Sequence, residues 1–385
     1  MARGEISSGQ VERMAAGGAG IVRLGGKCVF IDLAAPGDEI SFRIVKDHKN
    51  WAEGELVEIH RPSGLRTRPL CPYYGRCGGC SFQHIEYEAQ LDIKAEILRD
   101  AFTRIGKIDP PQISIKRSEP YGYRNRVQFH QNTEGPGFME RKSSRLVVIK
   151  DCPVAETGIR KALSGPGFPT AFPAGKKRFT VYSRLDTFLC EGAASRGRVS
   201  ILDRELSIDA GIFFQSNAVM LEALVLDLME ASSRADRNLP LADAYCGVGT
   251  FAAFLGDGFR GKSSFRAIDL VEQNRAALDL ATLNMPQGKT VNYYALDDTN
   301  WVKNYGDNSY GFMVLDPPRE GLSGPFREWL VKKGPPMAAY VSCDPATLAR
   351  DSRVLMENGY KIEELTLYDF YPQTAHIECL ALFCR

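Results

Sequence analysis

The chain has 385 residues, 44% of them hydrophobic and 25% charged, with a net charge of +1. That length predicts two or three domains, and the composition is ordinary for a soluble protein. No run of 18 or more apolar residues argues for a membrane span, and the first residues, MARGEISSGQ, lack the apolar core of a signal peptide. A cytoplasmic location is expected. There the 10 cysteines point to metal binding or catalysis rather than to disulfides.

Residues 11–60 carry the first elements. GIVRLGGKCVF alternates around a Gly-Gly turn, Ala35-Pro36-Gly37-Asp38 marks a second turn, and EISFRIV and AEGELVEIH follow. About five short strands in about 50 residues predict a small barrel of the oligonucleotide-binding type, with a generic small β-domain as the competing architecture. RPSGLRTRPL reads as a linker. The spacing of Leu91, Ala95, Leu98, Phe102 and Ile105 predicts a helix over 85–105, stopped by Gly106. From 111 to 204 the runs ISIKRS, RVQFHQ, RLVVIK and RFTVYSRL are strand-like, with many Gly and Pro breaks. This middle segment carries a net charge of +9, against 0 for residues 1–110 and −8 for residues 205–385. A basic middle beside an acidic end suggests a polyanionic partner, and a solvated basic surface is the alternative.

The same middle region holds CPYYGRCGGC, which spaces Cys71, Cys77 and Cys80, and KDCPVAE, which offers Cys152. Four thiolates make a closed tetrahedral site, for zinc or for an iron–sulfur cluster, and the spacing alone leaves the metal open. Glycines 75, 78 and 79 would let backbone N–H groups point at the sulfurs. A radical adenosylmethionine centre leaves one iron without a protein ligand, so a fourth cysteine argues against that chemistry. Tyr121-Gly-Tyr123-Arg124-Asn-Arg126 interleaves aromatics with cations ahead of Phe129 and His130. That pattern suits stacking on unpaired bases and contact with phosphates, and it suits a core-facing strand about as well.

From about 206 the texture changes. LADAYC, SFRAIDL, TVNYYAL, GFMVLDPP and AAYVSCD read as strands, with VMLEALVLDLMEA, EQNRAALDLATLN and ATLARDSRVLMENG as helices between them. The alternation predicts an α/β fold, a doubly wound parallel sheet flanked by helices, and KIEELTLYDF and HIECLALFCR add two final strands. Asp243-Ala-Tyr-Cys-Gly-Val-Gly-Thr250 lies where the first of these strands turns into a helix, so Gly247 and Gly249 would let the backbone approach a ligand. Asp269, about 20 residues on, is the candidate to hold a ribose. The acid at Asp243 favours S-adenosylmethionine, which is cationic at its sulfonium and amino group, over a phosphate ligand. Asp316-Pro317-Pro318-Arg319 ends the fourth strand, where an open parallel sheet binds its ligand.

Cys343, in VSCDPATLARD, ends the fifth strand beside that loop. A small buried hydrophobe is its ordinary reading. A cysteine opening onto an adenosylmethionine crevice has a specific use, because carbon 5 of uracil is too weak a nucleophile to take a methyl group directly. A thiolate adding to carbon 6 makes an enolate, carbon 5 then attacks the methyl donor, and a base removes the carbon 5 proton so that the thiolate can leave. Glu378, in PQTAHIE, is the candidate base, since a carboxylate in the apolar run HIECLALF is costly without a function or partner. His376 competes for that role, while Cys246, Cys379 and Cys384 read as small core residues.

The segments DPPREGL, YVSCDPATLARD and YPQTAHIECLALF closely resemble the RNA uracil-5-methyltransferase family, and so do FFQSN at 213–217 and AYCGVGTF at 244–251. The resemblance covers most of the chain. It implies Cys343 as nucleophile and Glu378 as base. It puts Gln215, Tyr245, Thr250, Asp269 and Asp316 at cofactor positions, Thr250 where some members carry Asn and Asp269 where many carry Glu. It favours a 4Fe–4S cluster on Cys71, Cys77, Cys80 and Cys152, and RNA contact by Arg124 and Arg126. The expected organisation is a TRAM-like β-barrel over residues 1–62, a β-rich cluster-bearing unit over 63–205, and a methyltransferase unit over 206–385. Ribosomal RNA is favoured as substrate over transfer RNA, and a monomer without membrane association is expected. An RNA N-methyltransferase would need no nucleophilic cysteine, and a non-catalytic iron–sulfur RNA-binding protein would need neither Cys343 nor Glu378.

Overall fold

The computed structural model describes residues 3–165, 176–257 and 263–385; residues 166–175 of the basic middle segment lie outside them. The first sheet comprises β1 (Ile6–Gln10), β2 (Arg13–Met14), β3 (Gly20–Leu24), β4 (Lys27–Ile31), β5 (Glu39–Asp47) and β6 (Trp51–Arg61), in the order β1-β5-β6-β4-β3-β2. It curls around its own core of Val11, Val22, Val29, Ile31, Ile40, Phe42, Ile44 and Ala52, as a barrel does. Gly9 is required at one close approach, since a Cβ there would lie 2.6 Å from Val22 Cγ1.

Helix α1 (Tyr87–Ala101) runs into a π-helical turn, Phe102–Gly106, and the chain leaves it at Lys107 in the left-handed region, φ 56°. Strand β7 (Ile113–Lys116) comes next. Then β8 (Arg126–Asn132), β9 (Gly135–Met139), β10 (Leu146–Val148), α2 (Thr157–Ser164), β11 (Arg178–Arg184) and β12 (Thr187–Cys190) build a five-stranded antiparallel sheet with one helix on it. A hairpin of β13 (Arg196–Ile201) and β14 (Arg204–Asp209) leads to α3 (Ala218–Ser232).

The last sheet takes β15 (Leu241–Ala244), β16 (Ile268–Val271), β17 (Val291–Tyr294), β18 (Phe312–Leu315), β19 (Met337–Ser342), β20 (Lys361–Tyr368) and β21 (Glu378–Cys384). The helices between them are α4 (Thr250–Leu255), α5 (Arg275–Asn284), α6 (Asp298–Tyr305), α7 (Gly324–Lys333) and α8 (Pro345–Glu357). Eight strands run in the order β17-β16-β15-β18-β19-β21-β20-β7. The first five are mutually parallel, and β21 is antiparallel to both neighbours. Every residue of β15, β16 and β18 is buried, as parallel strands covered on both faces must be. On one face lie Leu221, Leu224 and Leu228 of α3 with Phe251 and Phe254 of α4. On the other lie Ile93 and Leu98 of α1, Trp301, Phe326, Trp329 and Leu348. Strand β7 thus adds an edge to this sheet by pairing parallel with β20, although it lies within the sequence segment expected to form the middle unit. Among the described residues no helix is long and apolar enough to cross a membrane.

Candidate active site

The C-terminal ends of the parallel strands open into a cavity of about 840 Å³. In open parallel sheets that edge binds the ligand. At the end of β15 the chain turns through three left-handed residues: Tyr245 (φ 64°), Gly247 (φ 55°) and Gly249 (φ 75°). Gly249 admits no side chain, because a Cβ would sit 2.7 Å from Met285 Cε and 3.0 Å from Ala281 Cβ. Tyr245 and Gly247 line the cavity. The Tyr245 hydroxyl donates to Asp298 at 2.5 Å, and that carboxylate also accepts the Ser323 N–H at 3.1 Å.

Not every acid the sequence singles out reaches the cavity. Asp269 is sealed behind the sheet: its carboxylate accepts from Asn292 Nδ2 at 2.7 Å and from the Tyr310 hydroxyl at 2.7 Å. Three residues on, Glu272 does line the cavity; it accepts the Gly247 N–H at 3.0 Å and the Asn274 N–H at 2.7 Å. The spacing argument thus leads to β16, and the acid of that region that lines the cavity is Glu272, just past the strand. The better signal is that Asp269 lies inside the apolar run IDLV, whereas Glu272 is the first residue beyond it. Asp243 is also buried, holding the Ala252 N–H at 3.0 Å at the start of α4, while its other oxygen has no partner among the described residues. Burial pushes its carboxyl up to about 8. Thr250 and Gly249 belong to the same buried turn and not to the cavity wall. Gln215, Asp316, Cys343 and Glu378 all face the cavity.

Cys343 owes its position to a strand-to-helix junction. Asp344 is the N-cap of α8, accepting the Ala346 and Thr347 N–H groups at 2.9 Å, and Pro345 takes the first helical position. The sulfur-bearing residue is therefore fixed between the last residue of β19 and a capped helix. The antiparallel register pairs Ser342 with Cys379, so one step further along Cys343 lies opposite Glu378. A helix N-terminus ordinarily favours a thiolate, but Asp344 already takes the free N–H groups. Burial, then the Glu378 and Asp316 carboxylates, push the Cys343 thiol up to about 12, with Arg319 pulling the other way. Burial, then the Asp316 charge, likewise raise the Glu378 carboxyl well above its usual range. Burial alone lifts Asp316 to about 7.

His376 shares the wall with an Arg319 amino group 3.2 Å from its Nδ1. Desolvation against that wall, then the Arg319 and Arg124 cations, push the imidazole down to about 4. The ring is therefore neutral, with Nδ1 accepting from Arg319 and the proton on Nε2. Arg124 lines the cavity with its guanidinium 6.0 Å from the Tyr371 ring, and Arg126 lies 5.6 Å from the ring of Phe213, an exposed residue on the cavity rim.

Arg124 also borders a second, much smaller cavity whose lining includes Cys71, Cys77, Cys80 and Cys152. The Gly79 N–H lies 3.4 Å from Cys77 Sγ. Burial, offset in part by the Gln83 side chain, raises the Cys80 thiol to about 11, and burial with Cys80 nearby raises Cys152 to about 12. Among the described residues no group of three or more His, Cys, Asp or Glu side chains is arranged to hold a metal ion. All four cysteines line that cavity. Cys246 and Cys379 are buried in the core, and Cys384 is partly buried beside it.

Residues 196–385 match the family model described as tRNA (Uracil-5-)-methyltransferase. An uncharacterized RNA methyltransferase of Treponema denticola is 33% identical over 396 residues, covering 93% of this chain and 94% of the relative. A protein of Shewanella halifaxensis named 23S rRNA (uracil(1939)-C(5))-methyltransferase RlmD is 30% identical, covering 95% and 93%. The crystal structure of Pyrococcus abyssi tRNA (uracil-54, C5)-methyltransferase, in complex with S-adenosyl-L-homocysteine, shares this fold with a TM-score of 0.77 at 23% identity, covering 98% of this chain and 100% of that one.

Proposed function

The chain belongs to the RNA uracil-5-methyltransferase family, and from that premise we propose that it methylates carbon 5 of a uridine in 23S ribosomal RNA through a covalent adduct with Cys343. The observation that carries the reading is that Cys343, just past the end of β19, and Glu378, the first residue of the neighbouring β21, line one cavity together with Asp316 and Glu272.

S-adenosylmethionine supplies an electrophilic methyl group. The residues of the chain do the rest. The Cys343 thiolate adds to carbon 6 of the uracil, and its electron pair passes through the ring to make an enolate. Carbon 5 of the enolate takes the methyl group as the sulfonium–methyl bond breaks and S-adenosylhomocysteine leaves. The Glu378 carboxylate removes the carbon 5 proton, the 5,6 double bond re-forms, and the thiolate leaves. We assign Glu272 to the ribose of the cofactor, since it is the carboxylate at the end of the second strand that faces the cavity. Gln215, Tyr245, Gly247 and Asp316 complete the proposed cofactor and base pocket. Arg124 and Arg126 are the proposed RNA contacts, with the target base turned out of any stack to reach Cys343. The curled sheet of residues 1–62 is the proposed TRAM-like RNA-binding unit, 63–205 the middle unit, and 206–385 the methyltransferase unit, all working in the cytoplasm as a monomer. Mapping 5-methyluridine in cells lacking the gene tests the substrate. Loss from 23S ribosomal RNA is expected, and loss confined to transfer RNA would move the assignment to that substrate.

We assign a 4Fe–4S cluster to Cys71, Cys77, Cys80 and Cys152. Such a cluster is held by four cysteine thiolates, and the four cysteines line one cavity. Buried thiols with raised pKa values are poor anions until a cation neutralises them. Anaerobically purified protein should be brown with about four irons per chain, and Cys152→Ser should lower that content. Colourless protein carrying zinc would remove the cluster and leave the methyl transfer untouched.

A pH dependence follows from the same pocket. Cys343 and Glu378 must each lose a proton before acting, and both titrate above their ordinary ranges. Trapping by RNA with 5-fluorouridine at the target should therefore accelerate from about pH 6 to about pH 9, by about tenfold per unit where the thiolate fraction limits the step. A flat profile would show that thiol ionisation does not limit addition.

A further inference from the structure

The residues 369–377 that join β20 to β21 form one wall of the cavity, since Tyr371 and His376 line it and Glu378 follows. This nine-residue connection has no regular structure, yet its carbonyls are taken one after another by groups from elsewhere in the chain. Asn217 Nδ2 donates to the Phe370 carbonyl at 3.3 Å, and Lys94 Nζ to the Tyr371 carbonyl at 3.0 Å. The Tyr123 hydroxyl donates to the Pro372 carbonyl at 2.9 Å. The Gln373 carbonyl accepts the Ser81 and Phe82 N–H groups at 3.0 and 2.9 Å.

Two residues of α1 each hold it twice. Lys94 Nζ also lies 2.6 Å from Asp369 Oδ1, and both side chains are 0% exposed. Gln90 grips Gln373 twice: its Oε1 accepts the Gln373 N–H at 2.9 Å and its Nε2 donates to Gln373 Oε1 at 3.0 Å. Gln373 is held in the left-handed region, φ 67°, a conformation costly for a residue with a side chain. A fully buried ion pair contributes little net stability compared with an apolar pair of the same shape. Stability alone therefore gives no reason for a lysine on a buried helix face whose other residues, Gln90 apart, are apolar. A wall that must hold a carboxylate at a fixed angle gives one, because a displacement of about 1 Å at a reacting group costs up to about a hundredfold in rate.

We infer that Lys94 and Gln90 are positioning residues that set Glu378 for proton removal by fixing the 369–377 connection. The inference rests on the methyl-transfer reading above. Cys343 stands outside the clamped connection, at the β19–α8 junction. Loosening the clamp should therefore spare addition and methyl transfer and slow elimination. A merely structural role would depress all steps together or change nothing.

The test uses full-length Lys94→Met/Asp369→Leu, which removes both buried charges at once, and Tyr123→Phe, which deletes one hydroxyl that donates to Pro372. Each is compared with the parent on two RNAs. With 5-fluorouridine RNA the trapping rate should equal that of the parent. With ordinary RNA, turnover should fall on the order of tenfold for the double variant and less for Tyr123→Phe, while the fraction of enzyme in methylated covalent complex rises. Should the double variant not fold, Tyr123→Phe and Gln90→Leu carry the same comparison. Parent-like elimination in folded variants overturns the inference, as does an equal loss of trapping and turnover. Failure of the parent itself to trap 5-fluorouridine RNA would instead overturn the methyl-transfer reading, so the two failures are distinguishable.

Discussion

Cys343→Ala should abolish both methylation and covalent trapping, with a loss on the order of 10⁴-fold or more, because no other group supplies the carbon 6 adduct. The fold should survive. Cys343 is partly exposed at a strand end, its neighbours Asp344 and Pro345 cap and start α8 without the sulfur, and the register of β19 with β21 ends at Ser342. The truncation should cost no more than about 1 kcal/mol. Cofactor affinity, measured by calorimetry in the absence of RNA, should be unchanged, since Tyr245, Gly247 and Glu272 lie past the ends of other strands, β15 and β16. The informative pair of measurements is thus unaltered cofactor binding with no gel-shifted complex on 5-fluorouridine RNA. Retention of methylation within about tenfold would make the cysteine a wall residue and return the N-methyltransferase reading.

The parts of this site that the sequence discloses are those where local chemistry and strand order coincide. Asp316 and Cys343 each end an apolar run that is buried on both faces, and the ends of such runs gather on one edge of the sheet. Glu378 betrays itself as a charge at the start of an apolar strand. What the sequence conceals depends on which way a side chain turns. Asp269 and Glu272 are both acids near the end of β16, but only one lies past the strand, and the other pairs with Tyr310 and Asn292. Asp243 looks like a cofactor ligand because of the glycines that follow, yet it is buried away from the cavity wall, with one carboxylate oxygen holding the Ala252 N–H. The clamp on residues 369–377 is still less legible, since Gln90 and Gln373 are 283 residues apart and Lys94 and Asp369 are 275 apart. Among elements, β9 hides in GPGFM, whose glycines and proline read as breaks, and α6 in DTNWVKNY, where Asp297 caps a helix with a single buried residue, Trp301. β7 reads correctly as a strand, but nothing in four residues reveals that its partner is β20.

Glu378→Gln should give the opposite signature from Cys343→Ala. The amide keeps the shape of the side chain and removes the proton acceptor, so the thiolate can still add and carbon 5 can still take the methyl group. The reaction then stops one step short, with carbon 5 bearing both its proton and the new methyl group and with the Cys343–carbon 6 bond intact. Ordinary RNA should therefore yield a denaturation-resistant complex that has incorporated one labelled methyl group, and multiple turnover should fall by about 10² to 10⁴-fold. The parent carboxyl titrates well above its usual range because it is buried beside Asp316. A raised pKa makes the carboxylate a stronger base once ionised. The amide also removes a charge that pushes the Cys343 thiol upward, so addition should be no slower in the variant. His376 is the competing acceptor. With Arg319 donating to its Nδ1 and its pKa pushed down to about 4, it is neutral and weakly basic at the pH of the reaction. Normal turnover by Glu378→Gln, with loss of elimination in His376→Gln instead, would transfer the role of base to the imidazole. Accumulation of the methylated complex in Glu378→Gln alone fixes it on the carboxylate.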